Sequence, residues 1–282
     1  RSIVVPGDTS GSELWVRDGR TGSETGVMPP LAKHLVDEAY MAVLTEWIMT
    51  TTAQPPAHTA LYVKVFLEGP YAEGNMGDAL RAAGHVPAAD PYAALGMHVG
   101  TPALRSAYPH TLAAADARSV VDWVLVELRD PVQPHLVVAT LPGLVLRDGT
   151  VIDPQGGAMR VPETAASYHV AVRHRNHLGA MTAAPFAFQG TAVVLDLTVA
   201  GTPVYGTAAR KDMGNGMHAL WAGDSNGDGV LRYTGAANDR DGILTTIGGA
   251  MPTLEVEGYH PEDLDLDGYV RYTGAGNDRD VI

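Results

Sequence analysis

The feature that most constrains this chain is a motif written twice near its end. Asp224 to Ile243 reads DSNGDGVLRYTGAANDRDGI, and 39 residues later Asp263 to Ile282 reads DLDLDGYVRYTGAGNDRDVI. Each copy places Asp or Asn at alternate positions ahead of a glycine, then RYTG, then NDRD. Alternating short oxygen-bearing side chains turn their oxygens toward one centre. Gly229 and Gly268 supply the sharp bend such a loop needs. Close carboxylates repel one another unless a cation lies between them. The pattern therefore predicts calcium, two or more ions. The competing expectation is a pair of acidic turns in which Asp and Gly only shape the backbone.

Counted as an EF-hand-like loop, the first copy puts Asp224, Asn226 and Asp228 at positions one, three and five and the carbonyl of Val230 at seven. Position twelve is Gly235, where an EF-hand has a bidentate Glu, so Asn238, Asp239 and Asp241 are expected to close the shell. The matching set in the second copy is Asp263, Asp265, Asp267, Tyr269, Asn277, Asp278 and Asp280. Arg240 and Arg279 sit inside these acidic tails and are open to two uses, holding loop shape through carboxylate pairing or touching a partner.

Ile243, Leu244 and Ile247 predict a short helix ended by Gly248-Gly249, and the second copy stops where its own helix would begin. Net charge is −13, and residues 205–282 hold 13 acidic against 6 basic side chains, more than half of the excess. Such a balance favours cations and argues against nucleic acid. The chain has no cysteine. It can form no disulfide, thiolate metal site or covalent haem attachment of its own, and bound calcium is an alternative staple. No run approaches the ~20 apolar residues of a membrane-spanning helix. Arg1 opens in mid-pattern with neither an initiator Met nor a signal peptide, the expectation for a piece of a longer precursor.

Four regions are expected: an N-terminal segment (1–50), a Pro/Thr linker (51–60), a β-sandwich (61–204) and the tandem repeats (205–282). In the first, Asp37 reads as a helix N-cap, with Ala39, Val43 and Trp47 along one stripe of the helix that follows. In the third, strands are predicted over 61–69, 119–130, 135–153 (two strands around an Arg147–Thr150 hairpin turn), 167–175 and 191–199. Short strands without a βαβ rhythm indicate a mainly β, antiparallel sandwich. The stretch 75–110 is irregular, with one short helix near 76–83. RHRNH (Arg173–His177) is a structural turn after a strand rather than zinc ligands, since no third ligand is near in sequence. No nucleophile elbow or phosphate loop is present.

The repeats, with LEGPY (67–71), VVDWVLVELRD (120–130) and YHVAVRHRNHLGAM (168–181), resemble the C-terminal region of large secreted bacterial haemagglutinin- or adhesin-like proteins that carry dockerin-like calcium repeats. The resemblance spans 61–282. It implies a β-sandwich with calcium repeats outside the cell or on its surface, partnered by other extracellular subunits or cell-surface components, with no catalytic residues. The departure at position twelve means that cohesin binding is not implied. A carbohydrate-binding module, with glycans as partners, is the related alternative. Residues 1–50 are similar to the closing half of a c-type cytochrome-like module without its Cys-x-x-Cys-His. In that family the Met of an MPP segment is the distal haem ligand. Met28 therefore has two readings, a haem ligand of an electron-transfer or oxidoreductase protein or a core side chain.

Overall fold

The computed structural model describes residues 3–5, 7–20, 37–50, 58–98, 105–162, 166–189 and 192–282. The chain divides into two compact units, Arg1–Ala57 and His58–Ile282. Met28 and residues 51–57 of the expected linker lie outside the described residues.

In the first unit α1 (Glu13–Asp18) packs against α2 (Glu38–Thr50). Asp37 Oδ1 accepts from the Tyr40 amide at 2.9 Å, the expected N-cap. The buried stripe is Met41, Leu44 and Ile48, covered by Val4, Leu14 and Trp15. Ala39, Val43 and Trp47, the stripe singled out in the sequence, face solvent. Both stripes have helical spacing; α1 selects the first by laying Leu14 and Trp15 on it, and Trp15 Nε1 donates to Thr45 Oγ1 at 2.9 Å.

The second unit is mainly β. In chain order it contains β1 (His58–Lys64), the small hairpin β2 (Tyr71–Ala72) and β3 (Asn75–Met76), α3 (Ala79–Ala82) and α4 (Pro109–Ala113). Next come β4 (Val120–Arg129), β5 (Val137–Leu146), β6 (Thr150–Ile152), β7 (Met159–Pro162), β8 (Ser167–Arg173), β9 (Ala180–Met181), β10 (Phe186–Ala187) and β11 (Val193–Asp196). The hairpin of β12 (Lys211–Asp212) and β13 (His218–Ala219) leads into the repeats. There α5 (Asp239–Thr246) is followed by β14 (Glu255–Glu257), β15 (Tyr269–Arg271) and a 3-10 turn over Asp278–Val281. Among the described residues, no helix is long and apolar enough to cross a membrane.

Hydrogen bonding joins nine strands into one sheet of order β10-β8-β4-β5-β6-β1-β11, with β7 added to β1 and β9 to β8. β4 lies in the interior of the sheet: VVDWVLVELR is buried on both faces up to Arg129, and β-branched side chains suit a strand covered on both sides. It runs antiparallel to β5 (Trp123 opposite Leu144) and to β8 (Leu125 opposite Arg173). The β5–β6 turn falls where the sequence places it. Gly149 has φ +86°, and Asp148 Oδ1 accepts from the Thr150 amide at 2.9 Å.

Two expectations shift. β1 begins at His58, inside the presumed linker, because Thr59 and Ala60 pair with Val161 and Arg160 of β7. β1 also pairs in parallel with β11, Leu61 opposite Val193, so the sheet is mixed at this point. The long excursion between these strands removes the hairpin constraint that enforces antiparallel pairing.

The irregular stretch after β3 lies over β4. Tyr92 OH donates to the Trp123 carbonyl and Trp123 Nε1 to the Pro87 carbonyl, both at 2.8 Å, while Leu80, Tyr92 and Trp123 are fully buried. The repeats have a small core of Ile243, Ile247, Leu264 and Val270. They belong to the same compact unit as the sheet rather than to one of their own. Gly69 shows how close the approach is: a Cβ there would stand 2.0 Å from the Leu264 carbonyl oxygen.

Candidate metal centre and the polar network beneath it

Both repeats fold by the same local rules. The side chain of each first aspartate reaches forward to the turn glycine: Gly229 N donates to Asp224 Oδ2 at 3.1 Å, and Gly268 N to Asp263 Oδ2 at 3.0 Å. The aspartate of each NDRD reaches back to the strand: Arg232 N donates to Asp239 Oδ2 at 2.8 Å, and Arg271 N to Asp278 Oδ2 at 2.7 Å. These Asx-type bonds close the loop and bring its first residue beside its sixteenth.

In the second repeat Asp263, Asp265 and Asp278 converge, with one oxygen from each lying within 4.8 Å of the others. Asp263 and Asp278 are fully buried. Burial, followed by neighbouring carboxylates, pushes Asp263 up to about 8 despite the opposing effect of Arg175. Asp265 rises to about 6 through burial and the charge of Asp267. Asp278 rises to about 7, mainly through burial, against the pull of its bonds to the Arg271 and Leu264 amides. Three carboxylates held together out of water are stable as neutral acids or with a cation among them.

The first repeat is the weaker version. Asn226 replaces the aspartate at position three, and its amide donates to the Ala237 carbonyl at 2.9 Å. Asp224 is raised chiefly by burial, and its Oδ1 is buried with no hydrogen-bond partner, an orphaned acceptor of the kind a cation would satisfy.

The other expected ligands have different placements. Asn238 and Asn277 are N-caps: their Oδ1 atoms accept from the amides of Asp241 and Asp280 at 3.0 and 3.1 Å, while their side-chain amides bind the carbonyls of Gly235 and Gly274. Asp241 and Asp280 lie on the exposed side of these caps. Asp228 and Asp267 pair with Arg232 and Arg271. Val230 is exposed, and the ring of Tyr269 lies under the Arg271 guanidinium at 4.6 Å. Arg240 and Arg279 contact Asp241 and Asp280 and lie over Tyr233 and Tyr272, each at 5.3 Å, which is the shape-holding use.

Beneath the second repeat runs a buried network that the sequence hardly signals. Asp122, in the middle of β4, accepts from Tyr259 OH at 2.7 Å, Arg175 Nε at 3.0 Å and His174 Nε2 at 3.1 Å. Burial alone would raise its pKa; Arg175 and the hydrogen bonds win and lower it to about 2. Arg175 lies over the Tyr259 ring at 4.3 Å and donates to the His260 carbonyl. Asn176 Nδ2 donates to the carbonyls of Pro261 (2.9 Å) and Asp263 (2.6 Å). His174 and His177 meet through their Nδ1 atoms at 3.0 Å, and burial lowers the pKa of both. RHRNH is thus a structural turn, and its work is to hold the second loop against the sheet. The one available clue was Asp122, an acidic residue with apolar neighbours on both sides in the strand run.

No protein-family model matches this chain, and neither the curated proteins nor the solved structures contain a match.

Proposed function

We propose that this protein is a non-catalytic, calcium-stabilised structural or adhesive module of an extracellular or cell-surface protein. The observation that carries the proposal is the convergence of Asp263, Asp265 and Asp278. Calcium fits this set better than magnesium, because oxygen-only, carboxylate-rich shells of flexible geometry suit the larger ion. Asp224 and Asp239 supply a second, less charged site. The metal's contribution is to offset carboxylate repulsion and so fix the loops, a folding role rather than a chemical step. We read the sheet as the body of a sandwich and the two loops as dockerin-like repeats. Their inclusion in one compact unit supports a load-bearing or scaffolding role over a tethered binding domain. Other extracellular subunits or surface components are the partners this reading implies.

The test is a thermal melt with calcium and with excess chelator, paired with limited proteolysis. The reading predicts a calcium-dependent rise in melting temperature and protection of residues 205–282. Identical melts and cleavage patterns in the two conditions would reduce the loops to acidic turns.

A further inference from the structure

We infer that a cavity of about 520 Å³ next to the first repeat binds a sugar bearing a single carboxylate, a uronic-acid residue. The cavity size falls within the ~300–1,000 Å³ range of small-ligand sites. The inference is drawn for the first loop free of calcium, where Asp224 Oδ1 is open, and is independent of calcium in the second loop.

The unspent donors of the wall point to an anion. Glu127, buried in β4, is already clamped by Arg129, whose Nε donates to Oε2 at 2.7 Å and whose Nη2 donates to the same oxygen. Arg173, opposite Leu125 on the neighbouring strand β8, reaches that carboxylate only at 3.5 Å and is 36% exposed. Two guanidinium groups therefore share one carboxylate, and both line the cavity. Arg173 therefore keeps N–H donors that Glu127 does not take up. A planar guanidinium with unspent N–H donors is suited to a carboxylate.

The rest of the wall sets the body of the ligand. Leu178 and Met181 are half-buried and Tyr205 is 63% exposed, which provides an apolar surface and a ring for the C–H face of a pyranose. Asp224 also borders the cavity, and its Oδ1 has no partner. An open carboxyl oxygen there accepts from hydroxyl groups. One negative charge on a polyhydroxylated, partly apolar body satisfies all three parts of the wall.

The test is an NMR titration of the full chain with D-galacturonate, D-galactose and acetate. The expected result is that galacturonate shifts the amides of Leu178, Gly179 and Ala180, with the other two binding about tenfold more weakly or less. Arg173→Gln should lower galacturonate affinity about tenfold or more, as loss of a charge-assisted hydrogen bond does. Tyr205→Ala, at a more exposed position, should weaken it several-fold with an unchanged melt. Acetate binding as well as galacturonate would mean an anion site without sugar recognition, and equal binding of galactose would remove the role of the carboxylate. Either result, or wild-type affinity in both variants, overturns the inference. Calcium and chelator melts of the same sample without sugar report separately on the loops.

Discussion

The raised carboxylates of the second repeat make the metal-free protein sensitive to pH, and the sign can be worked out. Asp263 has a folded-state value of about 8 against an ordinary 3.8. An acid whose folded pKa is raised stabilises the fold below its unfolded pKa and loses that contribution as pH rises toward the folded value. At ~1.36 kcal/mol per unit, Asp263 alone costs the metal-free fold on the order of 5 kcal/mol at about pH 8 and about 2 kcal/mol at about pH 5.5. Asp265 and Asp278 titrate in the same window and share rather than add to that cost.

The difference of about 3 kcal/mol corresponds to a fall of roughly 6–12 °C in melting temperature for a unit of this size. Calcium should abolish the fall, so its stabilising effect grows with pH. Asp263→Asn keeps an acceptor for the Gly268 amide without the charge, so it should reduce the pH dependence in chelator, leaving the part owed to Asp265 and Asp278, and shrink the calcium response. Scanning calorimetry with calcium and with chelator at both pH values measures this. Hydrogen exchange over 263–280 detects the cost if the loop opens locally instead. If neither melting nor exchange in chelator differs between the two pH values, the carboxylates are not buried together and the reasoning fails.

Three further outcomes are expected. Asp122→Asn leaves Arg175 as a buried charge without its counter-ion and should cost about 3–5 kcal/mol in a denaturant titration. Because the pKa of Asp122 is lowered to about 2, the stability it contributes is present above about pH 4 and is lost as pH falls toward 2. Gly69→Ala forces a methyl group onto the Leu264 carbonyl and should cost about 1–3 kcal/mol, with proteolytic nicking of residues 259–282 appearing before global unfolding. Asn277→Ala removes a helix-type cap and should cost about 1 kcal/mol, with Asn277→Asp largely retaining it, as measured by chemical denaturation.

What was legible in the chain was whatever its local chemistry dictates. The strands around β4, the Arg147–Thr150 turn, the Asp37 cap and the loop pairs all follow from period, turn residues and spacing. Helix α2 exposes the limit: two stripes share its periodicity, and only the presence of Leu14 and Trp15 decides which one is buried. The NDRD segments expose another. Asn and Asp serve equally as metal ligands and as caps, and the spacing that brings Asp278 toward Asp263 leaves Asn277 and Asp280 at the 3-10 turn. The parallel pairing of β1 with β11 and the partners of Asp122 lie far apart in the chain, where no local signal reaches.

Asp122 also bears on how such a sequence can change over time. One carboxylate answers Tyr259, His174 and Arg175 at once. Single substitutions at the acid strand a buried guanidinium, whereas replacing the arginine first leaves an acid with two other donors and the option of taking up a proton. An evolutionary path toward an apolar interface here is therefore one-way: Arg175 goes first and Asp122 last. A library built in the opposite order should lose about 3–5 kcal/mol at its first step.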